Sequence, residues 1–411
     1  MYISDLALND FRSYEQVVLN LQPGVTAFIG ENGQGKTNLI EAIGYLATFS
    51  SHRVAADLAL VKQGSTAAVV RAKVMHEESP TTVELEILAG KANRARINRG
   101  NVRTKEILGI VRTVLFAPED LELVRGDPGV RRNFLDSLMI QFKPRTAGIK
   151  AEYEKVLKQR AALLKTAAKI RRRGGIFDET SLDIWDGQLA RLGAQLISQR
   201  AQIVRLLREP IEQYYQEVSG GKGIARIDYD ANIDKRMEWK LPLAENTHTQ
   251  ESCDLILTHE NDLLDVENNE KKLLQLLKQW RSVEIERGVN LVGPHRDDLR
   301  LILGTLPAKG FASHGESWSF ALALRLASWK VMREQSNDIW AGKDPEPILI
   351  LDDVFAELDA RRRQRLATII GDAQQVFVTA AVGDDVPEEL VSWKFWVESG
   401  KVTPIDGGDD D

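Results

Sequence analysis

Cysteine is nearly absent: Cys253 is the single one in 411 residues, which excludes an internal disulfide framework and fits a reducing cytosol. No run of about 18 apolar residues occurs, so nothing is expected to span a membrane. The opening MYISDLALNDFRSYEQ lacks a basic region followed by an apolar one, so no secretory leader is expected and the chain reads as cytoplasmic. Positive charge is not in excess either: 54 Lys and Arg stand against 60 Asp and Glu, a net −6. That excludes a generally basic nucleic-acid coat and leaves room for a local basic patch. With 43% apolar and 28% charged residues the chain reads as globular, long enough for two or three compact units.

What is present is organised around Val25 to Tyr45. VTAFIG is a short apolar run of the kind that forms a buried strand. Gly30, Gly35, Lys36 and Thr37 then fit G-x-x-x-x-G-K-[ST], and Leu39, Ile40, Ile43 and Leu46 recur on one helical face. Strand, glycine loop and helix stand in the order of a phosphate cradle. Glycines let backbone N–H groups approach phosphate oxygens, and the helix start adds its positive dipole end. The expected nucleotide-binding residues are Gly30, Glu31, Asn32, Gly33, Gln34, Gly35, Lys36, Thr37 and Asn38. Lys36 is expected on the β- and γ-phosphates and the Thr37 hydroxyl on Mg²⁺, with ATP as nucleotide. A glycine turn before an ordinary helix is the plainer alternative, and the context disfavours it.

Residues 1 to about 118 read as strands around this loop. LALNDFRSY with EQVVLNL, and AAVVRAKVM with TTVELEILA, alternate as hairpins do. KANRARINRGNVRTK reads as a solvated hairpin edge in preference to a phosphate contact. From Ile149 the period changes to seven-residue recurrence: Ile149, Tyr153, Val156, Leu163, Ala167 and Ile170, interrupted by Arg160, then Leu182 to Leu206, interrupted by Gln199. An antiparallel helical pair is expected, its second helix capped by Thr180 or Ser181 and ended by Pro210. Arg171, Arg172 and Arg173 fall at its tip, either as a solvated helix end or as a contact to DNA phosphates. Residues 216 to 260 read as turn-rich and polar. ENNEKKLLQLLKQWRSVEIERG restores a helix, LVGPHRDDLRLIL returns to strands, and the tail from Asp406 is expected to be disordered.

The second half of the site is ILILDDVFAELD. A buried strand delivers two carboxylates at its C-terminal end, where open parallel sheets bind ligands. Asp352 is placed for Mg²⁺ and Asp353 to orient or deprotonate a water; Asp353 and Lys36 are the expected catalytic pair. Upstream, Ser313, His314, Gly315 and Glu316 precede an apolar helix, a start suited to an anion and similar to the signature loop of ABC-type ATPases.

With these pieces together the chain resembles the bacterial RecF family of recombination and repair proteins, among the ABC-type, SMC-like ATPases. PEDLELVRGDPGVRRNFLD, GPHRDDL and the Glu357–Leu358–Asp359 turn carry the match further, and the likeness covers nearly the whole chain. It departs in SHGES, where many members have glutamine, and near Ala380, where transporters carry a switch histidine; Gln141 is the one candidate for a lobe-coupling glutamine. The resemblance implies an α/β ATPase head of the ABC/SMC-like P-loop type, formed from both chain ends, with an inserted antiparallel helical arm. The expected boundaries are 1–118 and 288–403 for the head, 119–287 for the arm and 404–411 for the acidic tail. It further implies an ATP-dependent homodimer, with Gly30–Thr37 and Asp352–Asp353 of one subunit facing Ser313, Gly315 and Glu316 of the other, and Arg12 near the nucleotide. His295 and Arg296 are expected in support. The implied partners are double-stranded DNA and its junctions with single strands, RecR with RecO, and RecA indirectly, with slow, DNA-stimulated hydrolysis. Three rivals stand beside this. A membrane-transporter ATPase subunit leaves the heptad insertion unexplained, an ATP-binding switch would hydrolyse negligibly, and the arm could be packing scaffold alone.

Overall fold

The computed structural model describes residues 1–54, 56–221, 223–238, 250–334 and 346–405. The expected tail from Asp406 lies outside the described residues, and Pro404 before it is the last residue of a strand.

Both ends of the chain meet in one sheet. β3 (Gly24–Ile29), β8 (Thr113–Phe116), β12 (Ile348–Asp352), β13 (Gln375–Ala380) and β14 (Trp393–Glu398) run parallel, and β15 (Lys401–Pro404) closes one edge antiparallel. The order is β15-β14-β3-β13-β12-β8, so the N-terminal β3 lies between two C-terminal strands. The run ILIL is apolar throughout because the sheet is covered on both faces. Ile348 and Ile350 enter one core with Phe28 and Phe377, while Leu349 and Leu351 enter another with Val376 and Val378.

The first core is shared with α1 (Lys36–Thr48) and a second, antiparallel sheet. That sheet holds β1 (Tyr2–Phe11), β2 (Tyr14–Asn20), β4 (Ala67–His76), β5 (Ser79–Leu88), β6 (Arg94–Ile97) and β7 (Gly100–Val102), in the order β2-β1-β4-β5-β6-β7. The expected hairpins form. The basic β6–β7 hairpin is an exposed edge, with Arg94 facing Glu86 at 3.5 Å and Arg96 facing Glu84 at 2.9 Å.

The second core is helical. α2 (Leu121–Arg125) and α3 (Pro128–Phe142) lead into α4 (Thr146–Arg172) and α5 (Ser181–Ser219), the expected antiparallel pair, with exposed Arg171–Arg173 at its far end. The pair is in fact a triplet, since α8 (Val266–Arg287) packs on both. Arg160 breaks the heptad because it is the fully buried pin of the three helices: it donates to Asp186 at 2.6 Å, Glu284 at 2.6 Å and Asn290 at 2.7 Å. Thr180 stands at the N-cap of α5 without a cap bond; its hydroxyl donates instead to Asp178.

Pro210 does not end the helix, which runs through it to Ser219. An interior proline costs about 3 kcal/mol. Beyond it Ile211, Tyr215 and Val218 are buried, and at roughly 1.5–3 kcal/mol for a fully buried side chain of this size that burial outweighs the missing bond. The segment expected to be turn-rich holds the end of α5, then β9 (Ala225–Asp230), α6 (Asn232–Arg236) and α7 (Gln250–Leu264). β9 pairs with β10 (Asp298–Leu303), which pairs with β11 (Leu306–Pro307), so this small sheet straddles residue 287. After α9 (Ala308–Phe311), α10 (His314–Glu334) crosses back to pack on α5, α2 and β8, and α11 (Ala360–Ile370) follows β12.

Candidate nucleotide site

Each glycine of the loop has its own physical reason. A Cβ on Gly30 would stand 2.2 Å from the Val397 carbonyl oxygen, so this first glycine lets β3 pass β14 closely. Gly33 (φ +86°) and Gly35 (φ +116°) are left-handed, where a side chain is strained. A Cβ on Gly35 would also meet the Tyr14 hydroxyl at 2.8 Å, and that hydroxyl donates to the Gly35 carbonyl at 3.1 Å. α1 begins at Lys36, so its first N–H groups open onto the loop.

Lys36 is buried, and its ammonium donates to the carbonyls of Gly30 (2.6 Å) and Glu31 (3.0 Å) and to Asn32 Oδ1 (3.4 Å). Burial lowers its pKa, and the charges of Asp353 and Asp352 pull it back up. An ammonium enclosed by neutral acceptors at a helix start suits an anionic ligand. The loop's outer side is tied down: Gln34 Oε1 accepts from the Ser399 N–H (2.7 Å), and Asn38 bonds Ser13 (2.9 Å) and Arg53 (3.1 Å). Glu31, Asn32 and Gly33 are exposed.

The acidic strand ends where the sequence places it. Asp352 Oδ1 accepts from the Thr37 hydroxyl at 3.1 Å and the Thr379 hydroxyl at 2.6 Å. A hydroxyl and a carboxylate this close are the donor set of a hard divalent cation. Thr379 was not legible beforehand. The parallel register opposes it to Asp352, and its oxygen also accepts the Asp353 N–H at 2.8 Å. Asp353 adopts φ +51° and is half-buried. Burial, then the Asp352 charge, raises its pKa against the pull of Lys36, which suits a proton acceptor. His52, also unforeseen, stands with Nε2 3.8 Å from Asp352. It lines a polar cleft of about 270 Å³ with Thr48, Glu119, Gln141 and Arg325.

Other expected residues lie apart from this centre. Arg12, in the β1–β2 turn, is committed to Glu41 of α1 by bonds of 2.8 and 2.6 Å, so its turn flanks the loop while its charge is already paired. His295 and Arg296 do not support the site: His295 Nδ1 meets the Tyr153 hydroxyl (2.8 Å) and Arg296 donates to the Asn290 carbonyl (2.8 Å), all within the helical core. The local sequence gave no sign that this return segment folds against α4. Gln141 holds the start of β8, accepting from the Thr113 N–H at 2.8 Å. Ala380 lies at the end of β13, its carbonyl accepting from the Gly30 N–H at 3.3 Å. Ser313 and Glu316 form a capping box at the start of α10, Ser313 N–H to Glu316 Oε2 (2.8 Å) and Glu316 N–H to Ser313 Oγ (3.3 Å). Ser313 and His314 are exposed, and Gly315 lies against Arg362.

With this geometry in view, the comparisons with known proteins agree. Residues 2–388 match the family model described as the RecF/RecN/SMC N terminal domain. A protein of Beutenbergia cavernae named DNA replication and repair protein RecF is 55% identical over 409 residues, covering 98% of this chain and all of that one. The chain belongs to the RecF family. Solved structures of the recombination mediator protein RecF in the RecFOR pathway, one with ATPrS and one with ATP, match with TM-scores of 0.82 and 0.80 at 25% and 26% identity, each covering 98% of both chains. The RecF family is one of DNA replication and repair ATPases of the SMC type, and the fold here is that of an SMC-like ATPase head with a helical lobe. No helix among the described residues is long and apolar enough to cross a membrane.

Proposed function

We propose that this chain is an ATP-driven DNA clamp of recombinational repair and replication restart. Two copies close head to tail on ATP, and the closed pair holds double-stranded DNA near its junctions with single strands. The observation that carries this is the division of the site. Lys36, Thr37, Asp352 and Asp353 converge at one sheet edge, while the Ser313–Glu316 turn is an exposed helix start elsewhere on the surface. A second copy supplies what the first lacks.

In this reading Gly30–Asn38 hold the phosphates, Lys36 neutralises them, and Thr37 with Asp352 would hold Mg²⁺, which supplies positive charge to the phosphate oxygens. Asp353 positions and deprotonates the attacking water, and slow, DNA-stimulated hydrolysis resets the clamp. Residues 1–118 and 288–403 act as the head and 119–287 as the arm, with Arg171–Arg173 available to DNA phosphates. Work in the cytoplasm with RecR and RecO, helping to load RecA, fits a member of this family. A switch with negligible hydrolysis is the second reading, favoured by the short Asp353 where a longer carboxylate is common in ABC-type enzymes.

The test is sedimentation of the chain and its Lys36→Met variant with labelled duplex DNA, each with and without ATP–Mg²⁺. Dimerisation and DNA binding are expected with ATP alone and are expected to vanish in the variant. Binding indifferent to ATP and Lys36 would overturn the clamp. Turnover unchanged in Asp353→Ala would favour the switch.

A further inference from the structure

α11 follows the Glu357–Asp359 turn with four arginines in its first two turns, and they differ in what they do. Arg363 donates to the Leu358 carbonyl (2.9 Å) and to Asp385 (3.2 Å), and Arg365 to the Glu217 carbonyl (3.1 Å). Arg361 is exposed. Arg362 is placed from both ends. Its N–H closes the α11 cap on Asp359 at 2.9 Å, and its side chain lies over the start of α10. A Cβ on Gly315 would stand 3.6 Å from Nη1 and 3.9 Å from Nη2. Only 26% of the Arg362 side chain is exposed, yet among the described residues its guanidinium makes no hydrogen bond. The nearest carboxylate, Asp359, is 3.8 Å from Nε and 65% exposed. A guanidinium held mostly covered with its donors unused is preorganised for a ligand that is not part of this chain.

We propose that Arg362 reaches across the dimer and binds the γ-phosphate oxygens of the nucleotide on the partner's phosphate loop, making the Ser313–Glu316 turn and Arg362 one anion clamp. This rests on the head-to-tail reading above and deepens it. The charges acting most on Asp353 are Asp352, Lys36 and Asp385, whereas Arg362 acts on Asp359 and on Tyr215 beside Glu316. Arg362 therefore belongs electrostatically to the signature turn and not to its own chain's acidic strand. The exposed Asp359 pairing is weak and gives way at little cost. Planar, bidentate donation to phosphate is what arginine does and lysine does not, so the contact makes closure depend on a terminal phosphate.

The experiment measures ATP-driven dimerisation by sedimentation for the wild type, Arg362→Ala and Arg362→Lys, with a fluorescent ATP analogue binding each as a monomer. Both variants are expected to bind the analogue like the wild type and to dimerise about 10- to 100-fold more weakly, the range of lost charge-assisted bonds. Mixing Arg362→Ala with Lys36→Met is expected to restore dimers and turnover. Such a mixed pair has one composite site with both halves intact, although neither variant has one alone. Dimerisation of Arg362→Ala at wild-type strength overturns the proposal, as does loss of analogue binding in the monomer or failure of the mixture to recover. If Arg362→Ala does not fold, Arg362→Lys decides by the same criteria. A wild type that does not dimerise with ATP refutes the clamp itself, and Arg362 with it.

Discussion

Replacing His295 with glutamine isolates one buried titration. The imidazole is enclosed between α4 and the return segment, with Nδ1 2.8 Å from the Tyr153 hydroxyl and Nε2 3.3 Å from the Asn290 carbonyl. The carbonyl can only accept, so Nε2 carries the proton and Nδ1 accepts from Tyr153; the ring is satisfied as a neutral group. Burial pushes its pKa down to about 3, and the charges of Arg296, Arg132 and Arg160 push the same way. The unfolded chain protonates this histidine as pH falls through about 6.5. The folded chain does not until about pH 3, so the unfolded state binds the extra proton in between and stability falls with acidification across that window. Between pH 7.5 and 5.0 the loss from this one group is about 2 kcal/mol. Glutamine keeps one acceptor and one donor and does not titrate. Urea unfolding followed by tryptophan fluorescence at the two pH values should show the wild type losing about 2 kcal/mol more than His295→Gln on acidification. Parallel losses in the two proteins would refute a neutral, enclosed imidazole.

Arg160→Leu leaves Asp186 and Glu284 buried without their shared cation, and denaturant unfolding should show a loss of about 3–5 kcal/mol. Gly30→Ala drives a methyl into the Val397 carbonyl, so melting should record roughly 1–3 kcal/mol of overpacking strain together with weakened ATP-analogue binding. Asp353→Asn should slow hydrolysis by about 10²- to 10⁴-fold while ATP-driven dimerisation persists. Since the Asp353 pKa is raised, the acid limb of wild-type turnover should fall above the ordinary carboxylate range, and a rate profile flat down to that range would count against its role as base.

The parts of the molecule that could be read beforehand are those whose cause is local. β3, its loop and α1 are contiguous, and Leu39, Ile40, Ile43 and Leu46 face one core because 3.6-residue spacing leaves no other choice. ILILDD could be read because a strand covered on both faces has no polar alternation to lose. What escaped depends on register between distant segments. Thr379 is one hydroxyl in an apolar strand, and only the pairing of Asp352 with Thr379 makes it a partner of both acidic residues. Arg160 looks like a flaw in a heptad until α8 brings Glu284 to it from across the arm. Arg12 is the sharpest instance. Its position beside the loop was foreseen, but Glu41, on the buried flank of α1, already holds both ends of its guanidinium. An arginine so paired reaches a nucleotide only by leaving a buried carboxylate behind, and stranding that charge costs several kcal/mol. Arg362 faces no such cost, because the only carboxylate near it is exposed. The same side chain at two places thus has opposite availability, and the difference lies in the partner's burial, which no local pattern encodes.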